Sequence, residues 1–138
     1  MKSPEHAAVG GVVGTVAVAT LFPTTPLATQ AALWVAGLLF SVFVDLDHFL
    51  IARLMTGDWT NLRRAVSDLR VGFVDQEEVF ADLNDERALQ RYRLLSHHLI
   101  GGVLVGASAL VDARVSVLVA VLLYAHLLGD LVRDAELA

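Results

Sequence analysis

The chain has 138 residues, enough for one domain, and 56% of them are hydrophobic while only 18% are charged. Soluble domains carry about 25% charged residues, so this composition excludes a typical soluble fold and favours an integral membrane protein. Cysteine is absent and the net charge is −5, which excludes a disulfide framework and a thiolate metal site.

The chain opens with an apolar hairpin. Residues 7–44 contain no Asp, Glu, Lys or Arg, and only the turn-like residues 23–26 interrupt them. This pattern predicts helices over about residues 6–22 and 27–49, each barely long enough to span a bilayer. A cleaved signal peptide ending near Leu27 is the alternative. The acidic Glu5 and the continuity of the two runs favour a retained first helix.

A polar insert follows at residues 53–93, where charges of both signs exclude a membrane crossing. Apolar residues recur in it at helical spacing beside arginines, at Leu62, Val66, Leu69 and Phe73. They predict an amphipathic helix, which either lies on the lipid headgroups or caps the helices beneath it. A second helix is expected over residues 77–90.

A second apolar hairpin predicts helices over about residues 94–111 and 115–133. The expected fold is therefore all-α, a single membrane domain over residues 1–138 built as a four-helix bundle of two hairpins. Four crossings place Lys2, the arginines of the insert and Arg133 on one side and Arg114 alone on the other. The positive-inside rule then makes the insert and both termini cytoplasmic.

The first and third helices share a histidine followed by paired glycines, which leaves a duplicated hairpin open as an explanation. Gly10 with Gly14, and Gly102 with Gly106, have the small-xxx-small spacing that lets helices approach closely. We therefore expect the first and third helices to pack against each other.

All five histidines fall at the predicted cytoplasmic ends of the four helices, together with three aspartates: His6, Asp45, Asp47, His48, His97, His98, His126 and Asp130. Helical spacing pairs Asp45 with His48 and His126 with Asp130. Of the adjacent His97 and His98, at most one is expected to point into a shared site. Asp47 could cap a helix, bridge a second metal or support His48.

Ionisable groups beside apolar runs are costly unless they are paired or liganded, so metal binding is favoured over solvated helix ends. Imidazole and carboxylate donors without sulfur suit zinc first, with Mn or Fe as alternatives. A catalytic zinc needs three protein ligands, and the larger number of candidates allows one or two ions.

Such a site can activate water and polarise a phosphoryl oxygen, with Asp47 or Asp130 accepting the proton. Arg93 or Arg91 could hold a phosphate. No nucleophile elbow, Walker loop or dinucleotide fingerprint competes with this hypothesis. The arginines of the insert are matched by acids and lack interleaved aromatics, so no direct nucleic-acid contact is expected.

These motifs, in order, are His6, Asp45-Leu46-Asp47-His48, Arg93-Leu94-Leu95-Ser96-His97 and His126-Leu127-Leu128-Gly129-Asp130. Together they resemble the YdjM-like family, described as LexA-binding, inner-membrane, metal-dependent hydrolases. More distantly the chain is similar to zinc-dependent phospholipase C. The resemblance implies an inner-membrane location, phosphoester hydrolysis and seven metal-site positions: His6, Asp45, Asp47, His48, His97, His126 and Asp130.

Two positions depart from the family pattern. Tyr92 stands where members usually carry a histidine, and His98 stands where they carry a serine. Either His98 compensates for the missing histidine, or one metal position is weakened in this chain.

The leading hypothesis is a metal-dependent membrane hydrolase of phosphoesters such as lipid headgroups. The expected partners are membrane lipid and the phosphoester substrate, while a regulatory protein partner and a homo-oligomer are left open. The alternative is a non-enzymatic membrane protein with a structural metal site and a partner-binding insert. A cation carrier fits poorly, because transporters bind their ions near the bilayer midplane.

Overall fold

The computed structural model describes residues 3–80 and 86–135, and this part of the chain is helical with no strand. The all-α class is thus confirmed for the described residues. In chain order the α-helices are α1 Ser3–Leu21, α2 Leu27–Phe43, α3 Asp47–Thr56, α4 Thr60–Ser67, α5 Leu69–Phe73, α6 Gln76–Val79, α7 Glu86–Ala109 and α8 Ala113–Asp134. A 3-10 turn, Val44–Leu46, joins α2 to α3.

Two predicted helices differ from those observed. The second was expected to end near residue 49, but it passes through the 3-10 turn into α3 and stops only at Gly57. Gly57 has a φ of 86° and donates its N–H to the Arg53 carbonyl, an αL termination that suits glycine. The third begins at Glu86 instead of residue 94, because the charged residues before the apolar run are good helix formers.

The long helices pack against one another. α1 lies against α2 and α8, and α7 lies against α8 and α3. One cluster of buried apolar residues sits between α1 and α8, toward the end of the helices away from the histidines, and comprises Ala17, Val18, Phe22, Leu118 and Leu122. Trp34 of α2 ties this end together by donating its Nε1–H to the Gly11 carbonyl at 3.1 Å and to Thr15 Oγ1 at 3.0 Å.

The expected packing of α1 against α7 through their glycines is wrong. A Cβ added at Gly10 would lie 2.4 Å from Ser41 Oγ, so this glycine permits close approach of α1 to α2. A Cβ added at Gly102 or Gly106 would have no neighbouring atom within 4 Å among the described residues. α7 instead approaches α8 through Gly101, whose added Cβ would lie 2.0 Å from Leu123 Cδ2.

Where one amphipathic helix was expected to carry Leu62, Val66, Leu69 and Phe73, the structure has two short helices, α4 and α5, followed by α6. The break falls at Asp68, whose carboxylate accepts hydrogen bonds from the N–H groups of Arg70 and Val71 and so starts α5. Asn61 and Ala65 form the buried side of α4, whereas Val66 is exposed. The side chains of Leu69 and Phe73, and part of the helix expected over residues 77–90, lie outside what the structure describes.

Two described helical stretches are long and apolar enough to cross a membrane. They are Leu27–Thr56, which joins α2 to α3, and α8, with mean hydropathies of 1.9 and 2.1 over windows of 18 residues. The buried share of the window is 17% in Leu27–Thr56 and 33% in α8. The core helix of a soluble protein would be mostly buried, so the exposed apolar faces favour contact with lipid.

Candidate metal centre

Seven of the predicted site residues converge where the helix ends meet. We call this set the His/Asp cluster: His6, Asp45, Asp47, His48, His97, His126 and Asp130. α1 supplies the first residue, the 3-10 turn and α3 supply the next three, α7 supplies one and α8 supplies two. Four separate segments of the chain therefore build the cluster.

The first group in the cluster joins α1, the 3-10 turn and α8, and all four of its residues are buried. His6 Nε2 lies 3.4 Å from Asp45 Oδ2 and 3.3 Å from Asp130 Oδ1. His126 Nε2 lies 3.2 Å from Asp45 Oδ1 and 3.4 Å from Asp130 Oδ2. Two imidazoles and two carboxylates thus alternate around one centre, within reach of a single ion.

The second group shares Asp45 and adds His48 and His97. His97 Nε2 lies 3.0 Å and His48 Nε2 lies 3.4 Å from Asp45 Oδ1. Asp45 is therefore in contact with four imidazoles, two from each group. Among the described residues, Asp45 alone belongs to both groups that could hold a metal ion.

Backbone carbonyls orient two of the imidazoles. His126 Nδ1 lies 3.1 Å from the Ser41 carbonyl, and His97 Nδ1 lies 2.9 Å from the Arg93 carbonyl. In each ring Nδ1 faces one of these carbonyl oxygens and Nε2 is directed at Asp45. A partner on the second ring nitrogen fixes the tautomer of a metal-ligating histidine in this way.

Asp47 joins the cluster at the start of α3, directly after the 3-10 turn Val44–Leu46. Its Oδ2 accepts a hydrogen bond from Ser96 Oγ and lies 3.0 Å from His97 Nδ1. Its Oδ1 lies 3.8 Å from His48 Nε2. Of the alternatives left open by the sequence, the contacts of Asp47 favour support of an imidazole, and that imidazole is His97 more than His48.

Several polar atoms of the cluster are buried without a hydrogen-bond partner among the described residues, including His6 Nε2, His48 Nε2 and Asp47 Oδ1. Buried polar atoms normally find partners, since an unpaired one costs about 1–3 kcal/mol. Nitrogen and oxygen donors that face one another without hydrogen bonds are the arrangement that a divalent cation would satisfy. The cluster could therefore hold metal ions.

A cleft of about 310 Å³ between α7 and α8 opens beside the cluster. His97 and Asp130 form part of its wall, and both predicted phosphate-binding residues, Arg91 and Arg93, line it. Arg93 is held at the cleft by Asp134, to which it donates a hydrogen bond. The cleft thus leads from an arginine-bordered surface to one residue of each metal-binding group.

The two residues that depart from the family pattern lie apart from the cluster. Tyr92 is 54% exposed, and His98 is exposed with its Nδ1 at 2.7 Å from the Leu94 carbonyl. His97, the other member of the adjacent pair, is fully buried in the cluster. His98 therefore does not fill the place of the missing histidine.

Sequence reasoning missed three contributors to the site. Ser96 and the Ser41 carbonyl hold Asp47 and His126, and Asp134 holds Arg93. Asp134 stands four residues after Asp130, so the helical spacing that paired His126 with Asp130 could have found it. The backbone carbonyl of Ser41 carries no signal in the sequence.

No family model, no curated protein and no solved structure matches the chain.

Proposed function

We propose that the chain is a metal-dependent membrane hydrolase that acts on phosphoesters such as lipid headgroups. The observation that carries the proposal is the shared Asp45, which joins two metal-binding groups beside a cleft bordered by Arg91 and Arg93. Paired ions next to a site for an anionic group are the arrangement that phosphoester hydrolysis uses.

Each part of the cluster has a role in this proposal. His6, His126 and Asp130 would hold one ion, His48 and His97 would hold a second, and Asp45 would be a ligand common to both. Zinc is the first choice for the metal, and Mn or Fe would suit the same donors. When bound, the ions supply Lewis-acid polarisation of a phosphoryl oxygen and acidify water.

Two carboxylates were expected to accept the proton from water. Asp130 lies in the first group and also on the wall of the cleft, so it meets both the metal site and the substrate. Asp47 is directed at Ser96 and His97. Asp130 is therefore the better-placed base, and Asp47 acts through His97.

The location of the cluster along the helices supports a membrane setting. At a rise of 1.5 Å per residue, Asp45 lies about 27 Å from Leu27, and Asp130 lies about 26 Å from Ala113. The hydrocarbon core is about 30 Å thick. If the far ends of α2 and α8 lie at one membrane surface, the cluster comes near the other.

We further propose four crossings in the inner membrane, by α1, α2, α7 and α8, with both termini and the polar insert in the cytoplasm. The chain has no cysteine, so single-cysteine variants test this directly. In intact spheroplasts a membrane-impermeant maleimide should label Arg114→Cys and leave Arg70→Cys unlabelled. The opposite pattern would reverse the proposed orientation, and labelling of both would remove the four-crossing arrangement.

The activity test uses detergent-purified protein loaded with Zn or Mn and a panel of phosphodiesters and phosphomonoesters that includes phospholipids. Turnover should require metal and should be lost in His126→Ala and Asp130→Ala. Asp75→Asn is a matched control, because it removes one carboxylate from an ion pair with Arg70 in the insert. Turnover by the native protein no higher than that of His126→Ala across the panel would contradict the proposed hydrolysis.

A structural metal site is the second candidate, favoured by the four chain segments that meet in the cluster. Metal would then join the helix ends, while the polar insert recruits a regulatory partner. This candidate predicts that a chelator lowers the unfolding temperature of the native protein, with no turnover on any substrate of the panel. Unchanged stability after metal removal would exclude it.

A further inference from the structure

The cleft is lined by an ion pair between Arg93, which borders the proposed phosphate site, and Asp134, to which the proposed hydrolysis gives no role. Arg93 of α7 donates from its guanidinium to Asp134 Oδ2 of α8, and the side chains of the two residues are 16% and 29% exposed. Its Nε also lies 4.0 Å from Asp130 Oδ2. Arg93 thus reaches across the cleft and is neutralised by a carboxylate before any substrate arrives.

This pairing places two anions in competition for one guanidinium. An incoming phosphate group would meet the carboxylate of Asp134 and an arginine already engaged by it. Removing the charge of Asp134 would relieve the repulsion and release the donors of Arg93, and both effects act in the same direction. Arginine binds carboxylate and phosphate with the same planar array of donors, so one can replace the other.

We propose that Asp134 is a specificity-determining residue that occupies Arg93 until a phosphate group displaces it. The inference rests on the proposed function, because it assigns the cleft to a phosphate-bearing ligand. Asp134 would weaken the binding of ligands that depend on Arg93 and would leave unchanged the binding of ligands held by Arg91 or the cluster alone.

The backbone of Arg93 allows such an exchange. Its carbonyl oxygen lies 2.9 Å from Ser96 Oγ and 2.9 Å from His97 Nδ1. The main chain is therefore fixed by the residues that support the cluster, while the guanidinium lies free of it at the cleft. The side chain can turn from Asp134 to a phosphate without disturbing the orientation of His97.

The test measures binding of inorganic phosphate to the metal-loaded full-length protein by titration calorimetry, for the native chain and three variants. Asp134→Asn should bind phosphate about two- to fivefold more tightly, the range expected for one partly exposed ion pair. Asp134→Glu should restore native affinity, because it returns the charge. Asp75→Asn, which changes the net charge equally but breaks an ion pair in the polar insert, should bind as the native protein does.

Arg93 must carry the effect. In an Arg93→Gln background, Asp134→Asn should give at most a small gain, since only the repulsion remains to be relieved. An unchanged or weaker affinity in Asp134→Asn, or an equal gain in the absence of Arg93, would overturn the proposal. If Asp134→Asn binds phosphate more tightly but no phosphoester is hydrolysed, the role of Asp134 is supported and the hydrolysis fails. If hydrolysis is seen with the KM unchanged in Asp134→Asn, only the role of Asp134 fails.

Discussion

The shared position of Asp45 leads to a quantitative prediction about metal content. Replacing Asp45 with Ala removes one ligand from each group at once, because its carboxylate contacts His6, His126, His48 and His97. A substitution at any other residue of the two groups removes a ligand from one group only.

The expected metal content follows from counting the ligands that remain. The first group offers four donors and the second offers three, and a catalytic zinc requires about three protein ligands. Asp45→Ala leaves three donors in the first group and two in the second, so the ion content should fall from about two per chain to about one. Asp130→Ala leaves three donors in each group and should keep about two. The double variant Asp45→Ala/Asp130→Ala leaves two donors in each group and should bind no ion.

The assay is elemental analysis of detergent-purified protein after loading with zinc and removal of free metal. Asp75→Asn, in the insert, serves as the control. Native protein with about one ion, or Asp45→Ala with as many ions as the native chain, would refute the bridging role of Asp45. Loss of all metal from Asp130→Ala would refute the assignment of four independent donors to the first group.

Two further predictions concern the support of the cluster and the packing of the helices. Ser96→Ala removes the hydrogen bond to Asp47. It should weaken zinc binding by a factor of about 10–100, measured by chelator competition, with no loss of ion content at saturation. Unchanged affinity would contradict the support of His97 through Asp47. Gly10→Ala places a Cβ 2.4 Å from Ser41 Oγ and 2.5 Å from Ser41 Cβ and should destabilise the protein by about 1–3 kcal/mol. In the control, Gly102→Ala, the added Cβ meets no atom within 4 Å, so this variant should be neutral or more stable by up to about 1 kcal/mol. Both variants are compared by thermal unfolding in detergent. Equal effects of Gly10→Ala and Gly102→Ala would contradict the packing of α1 on α2.

The sequence predicted the helical class and the residues that meet because both depend on local patterns. Charge-free runs located the long helices, and their order along the chain placed all the histidines at one predicted side. The helical spacing of Asp45 with His48 and of His126 with Asp130 gave pairs that lie 3.4 Å apart in the structure. Such inferences need only the period of the helix and the order of the segments.

The internal arrangement of the cluster was beyond the sequence for a physical reason. Helical spacing pairs Asp45 with His48 and leaves Asp47 on another face, whereas in the structure Asp47 follows a 3-10 turn at Val44–Leu46 and lies beside His97. No proline or glycine lies in this turn, so the helix propensities of its residues do not predict it. The two-group arrangement then depends on tertiary contacts, since His6 and His126 reach Asp45 from helices far away in the chain.

The glycines of α7 also show that a local pattern does not identify the packing partner of a helix. Gly102 and Gly106 have the spacing of a helix-packing motif but face open space, whereas Gly101, one residue away, meets Leu123 of α8. A motif of small residues indicates that another helix can approach closely, but it does not identify that helix. The face that α7 turns to α8 is the one that also carries His97 to Asp45, so the close approach at Gly101 and the placement of His97 belong to a single helix orientation. A substitution that rotated α7 to bury Gly102 would therefore withdraw His97 from the second metal-binding group.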